Sequence, residues 1–118
     1  MEAHNYKLTK NDYKVIRELL SVALEREFVQ GLEQAEATIK AWRTDRPESA
    51  RENYHKVLSD LKAHRKELAR TYDDPSKFML KLNVVALIGK GVLTEADIPE
   101  QAKQLKKYLL FKVEEWRS

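Results

Sequence analysis

Proline and glycine, the residues that interrupt helices, occur only three times each in 118 residues, and nearly all fall between runs of helical periodicity. A chain punctuated so sparsely has few places to turn. From Thr9 to Trp42 there is no proline and a single glycine, Gly31. Within that run Tyr13, Ile16, Leu20, Leu24, Phe28, Leu32, Ala35, Ile39 and Trp42 recur at steps of three and four, which places them on one stripe of a helix. Thr9-Lys10-Asn11-Asp12 supplies a capping-box start, with the Thr9 hydroxyl accepting from amides of the first turn. The helix predicted over residues 11–43 is roughly 50 Å long at ~1.5 Å per residue.

Val15, Leu19, Val22 and Val29 widen the stripe in the first half, whereas after Gln30 only a narrow seam remains. The first half is therefore expected among several helices and the second against one. Gly31 costs about 1 kcal/mol relative to alanine inside a helix, and marks either a bend or a close helix crossing. Thr44-Asp45-Arg46-Pro47 reads as a turn, with Asp45 as N-cap and Pro47 near the first position of a second helix over residues 47–72. The seam of that helix, Ala50, Tyr54, Val57, Leu61, His64, Leu68 and Tyr72, predicts an antiparallel hairpin with the first.

Asp73-Asp74-Pro75 forms the next break. The apolar run that follows, residues 75–88, reads as a helix, although alternation at Leu80, Leu82, Val84, Ala86 and Ile88 also permits a strand. Gly89-Lys90-Gly91 ends it, Val92 and Leu93 tuck back, and Thr94-Glu95-Ala96-Asp97 opens a fourth helix over residues 95–117, beginning there or at Pro99. Its apolar face is Ala102, Leu105, Leu109, Val113 and Trp116, widened by Tyr108, Leu110 and Phe111. The expected fold class is all-α: an antiparallel four-helix bundle with a long projecting helical hairpin, in one domain with a flexible start at residues 1–10.

Hydrophobic residues make up 42% of the chain, enough for a core despite 35% charged residues. The absence of cysteine excludes disulfides, thiol nucleophiles, cysteine-ligated zinc and iron–sulfur clusters. A polar N-terminus without an apolar segment, and a longest apolar stretch far short of the ~20 residues of a membrane helix, point to a cytoplasmic protein with no membrane partner.

Catalytic motifs are scarce, and the sequence predicts a non-enzymatic protein with no cofactor. No serine stands in a Gly-x-Ser-x-Gly elbow. Gly89-Lys90-Gly91 is too short for a phosphate loop and reads as a helix cap. Glu52 and His55 form one Glu-x-x-His step, the spacing at which two helical side chains share a metal, and counting back across the turn puts Glu36 near the level of His55. No second such step exists, so a dinuclear site needs a symmetric partner; otherwise Glu36 and His55 make a surface hydrogen bond. His64 lies on the apolar seam as a packed or interfacial histidine, and His4 carries no signal.

Two basic clusters, Lys62, Arg65, Lys66 and Arg70 in the second helix and Lys103, Lys106, Lys107 and Lys112 in the fourth, allow nucleic-acid binding as an alternative, although net charge is only +3 and no nucleic-acid motif accompanies them. Protein association is the favoured expectation. A two-helix contact leaves Leu32, Ile39, Trp42, Tyr54 and Val57 thinly covered, and Tyr108, Phe111 and Trp116 offer a second aromatic patch. Since the first helix outruns third and fourth helices of about 20 and 28 Å, a second copy of the chain or another protein is the expected partner.

Overall fold

The computed structural model describes residues 6–73 and 76–118. The break at Asp74 and Pro75, the first residue expected of the third helix, and residues 1–5 with His4 lie outside the described residues. Every regular element described is helical: α1 (Lys10–Asp45), α2 (Ala50–Tyr72), α3 (Lys77–Gly89) and α4 (Lys103–Arg117), with a 3-10 turn at Glu95–Asp97. The all-α class with its long first helix and helical hairpin is as the periodicity predicts, and the ambiguous third element is a helix.

The ends of these helices follow local chemistry. Thr9 and Asp12 cap α1 reciprocally: the Asp12 amide donates to Thr9 Oγ1 at 3.1 Å, and the Thr9 amide donates to Asp12 Oδ2 at 2.9 Å. The Tyr6 hydroxyl donates to the same carboxylate oxygen at 2.6 Å, so the expected flexibility of residues 1–10 does not extend to this anchored stretch. Asp45 is the last residue of α1 and not the N-cap of α2. The chain turns through Arg46, which has a positive φ of 47°, passes Pro47, and is capped by Ser49, whose Oγ accepts from the Glu52 amide at 3.1 Å. The second helix therefore begins at residue 50 and not 47.

Ser76 caps α3. Its far end closes at Gly91, where φ is +85°, a conformation that suits glycine, while Val92 and Leu93 donate their amides to the Leu87 carbonyl. The fourth helix starts at residue 103 and not 95. The Thr94–Asp97 capping box forms, but Ile98 is extended (φ −78°, ψ 126°) as a residue before proline prefers, and Pro99 has no amide to continue the ladder.

The described residues of Met1–Leu24 and Asp74–Ser118 form one compact unit, and Glu25–Asp73 another. In the first unit the opening turns of α1 bury Val15, Ile16, Leu19, Leu20 and Ala23. With them are buried Val84 and Leu87 from α3, Leu105, Leu109 and Val113 from α4, and Leu93 and Ile98 from the connection. Ile16, Val84, Leu105 and Leu109 are wholly enclosed, and each buried aliphatic side chain of this size contributes about 1.5–3 kcal/mol.

The second unit is the hairpin of α1 and α2. Its turn is clasped by the Trp42 indole, whose Nε1–H donates to the Glu48 carbonyl at 2.9 Å beneath the Arg46 guanidinium, 4.2 Å from the ring centroid. Buried Asn53 donates to the Glu48 carboxylate at 3.1 Å. Further down, the His64 imidazole packs on Gly31 so closely that a Cβ there would lie 2.7 Å from the ring, which resolves Gly31 as a close crossing point. Tyr72 and Glu27 follow. Burial raises the Tyr72 hydroxyl pKa, and the neighbouring Glu27 carboxylate raises it further. The Tyr72 hydroxyl and Glu27 Oε2 are both sealed from solvent.

Candidate association surface

Gly31 against His64, and Glu27 against Tyr72, fix which line of α1 faces α2. Steps of three and four from these residues run through Glu27, Gly31, Ala35, Thr38 and Trp42, a line of mostly small or polar side chains that lets the helices approach closely. The line on α2 is Asn53, Val57, Leu61, His64 and Leu68. The large apolar residues Phe28, Leu32 and Ile39 lie ~60–100° around α1 from the inward line, at ~100° per residue. They remain exposed, Leu32 by 65%.

Tyr54, 68% exposed, and Leu58 occupy the matching flank of α2. The two flanks belong to one face, because Ile39, Arg43, Tyr54, Leu58 and Leu61 line a common groove of about 360 Å3 with Trp42 and Val57 at its floor. Around the helices from this face, the same arithmetic places Gln30, Gln34, Ala37 and Ala41 of α1 and Lys56, Asp60 and Glu67 of α2 on the back. One side of the hairpin is apolar and the other polar. Charged residues rim the apolar side, with Glu33, Glu36, Lys40 and Arg43 along the outer edge of α1 and Lys62 and Lys66 along that of α2.

Of the residues expected at an interface, the structure brings Leu32, Ile39 and Tyr54 to this exposed face. Trp42 and Val57 are half-buried, and Trp42 holds the turn. Phe28 and Leu58 belong to the face although Leu58 stood outside the expected seam; its place next to Val57 is the signal that widens the apolar arc.

The compact unit carries a second groove of about 380 Å3 between α3 and α4, lined by Phe78, Leu82, Val85, Tyr108 and Trp116 with Lys81 and Lys112 at its margin. Phe78 is 64% exposed and Trp116 lies over Gly89. Tyr108 is instead a core residue, buried beneath Tyr6 with ring centroids 6.0 Å apart. Phe111 is exposed but does not line the groove.

Glu36, Glu52 and His55 are not gathered into one site. Glu52 bonds with Ser49 at the start of α2, and His55 sits edge-on to Tyr54 with ring centroids 5.7 Å apart. The pairing of Gly31 with His64 puts Glu36 about level with residue 60, several residues from His55, because the turn takes up residues 46–49 before α2 begins. No group of three His, Cys, Asp or Glu side chains suited to a metal occurs among the described residues. Of the basic residues, Lys62, Arg65, Lys66 and Arg70 belong to the hairpin unit and Lys103, Lys106 and Lys107 to the other. Arg70 pairs with Glu67 at 2.8 Å and Lys106 with Glu95 at 3.5 Å. No helix among the described residues is long and apolar enough to cross a membrane. The chain matches no known protein-family model, curated protein or solved structure.

Proposed function

We propose that the chain is a non-enzymatic protein that works by helix-mediated association through the apolar face of the hairpin. The observation that supports this reading most is the placement of Leu32 and Tyr54, each about two-thirds exposed, on one face with Phe28, Ile39 and Leu58. Scattered apolar side chains are ordinary on a protein surface, but an apolar face with a charged rim and a polar back has the anatomy of an interface. Tyr54, toward the turn end of the face, offers a large contact area and a hydroxyl. Trp42 positions the surface by holding the turn.

Light scattering coupled to size exclusion over a range of concentrations tests the reading, with Leu32→Asp and Tyr54→Asp as variants. Both positions are exposed, so helical content measured by circular dichroism stays that of the wild type. The wild-type mass is expected to rise with concentration while the variants remain monomeric. A wild type whose mass never rises, or variants that assemble equally well, would contradict it.

A further inference from the structure

We draw no further inference here: the strongest candidate, the open apolar groove between α3 and α4 around Phe78, Leu82 and Trp116, has a margin that mixes Lys81 and Lys112 with Glu115, and nothing in the structure shows what covers it.

Discussion

Residues 10–24 and 25–45 of α1 share one uninterrupted helix and the same three-and-four spacing of apolar side chains. Val15, Ile16, Leu19, Leu20 and Ala23 are nonetheless buried, while Phe28, Val29, Leu32 and Ile39 are exposed. The difference is the number of neighbours. The first part belongs to a unit that also contains α3 and α4, and the second to a unit whose only other helix is α2. A single partner helix covers a narrow line, and the line it covers here runs through Gly31 and Ala35, where the backbones can approach, leaving the bulkier side chains to one flank. Periodicity specifies a helix, but the count and closeness of neighbours decide which apolar residues are covered.

The largest expected contrast is between two aliphatic residues on the same helix. Ile16→Ala removes a fully enclosed side chain and should cost about 2–5 kcal/mol in urea unfolding at low protein concentration. Leu32→Ala under the same conditions should stay within about 0.5 kcal/mol, as exposed substitutions do. Equal losses would break the comparison.

A smaller effect is expected at the crossing point. Gly31→Ala gains about 1 kcal/mol of helix propensity but drives a methyl group into the His64 ring, so in the wild-type background it should destabilise the hairpin. With His64→Ala in place the same change should become stabilising. A double-mutant cycle by chemical denaturation measures this reversal of sign, and additive effects would place His64 elsewhere.

The smallest effect is alkaline and belongs to the other unit. The hydrogen bond from the Tyr6 hydroxyl to Asp12, then burial and the Asp12 charge, push the Tyr6 pKa up from 10.0 to about 12. The folded state holds that proton more tightly than the unfolded chain, so the contribution is complete below pH ~10 and lost as pH rises toward ~12. Tyr6→Phe should flatten that part of the stability profile. A slope between pH ~10 and ~12 that is identical in Tyr6→Phe would place the titration on another group.

Much of the fold is legible in the sequence because its signals are local. Thr9 and Asp12, Ser76, and Gly91 act through their own hydrogen bonds or backbone angles, and the helices they bound follow. The failures come where two local signals compete: Thr94–Asp97 forms its capping box, but Ile98 and Pro99 stop the helix one turn later. The exposed face was half legible. Leu32, Ile39 and Tyr54 stand out by size and spacing, whereas their displacement from the inward line depends on His64 seating against Gly31, a contact between residues 33 apart that no periodicity encodes. Tyr108 was misplaced as a surface residue because its cover comes from Tyr6, in a segment that sequence alone reads as loose.

The central claim is that the first part of α1 is covered by its own chain and the hairpin face by association. Hydrogen–deuterium exchange of the native protein, followed by peptide as concentration is raised through the assembly range, tests it directly. Amides at residues 12–24 and in α3 and α4 should show strong protection that does not change with concentration, while those at residues 28–43 and 54–66 should begin less protected and gain protection as the protein associates. Hairpin protection that equals that of residues 12–24 at every concentration, with no gain on assembly, would contradict the account.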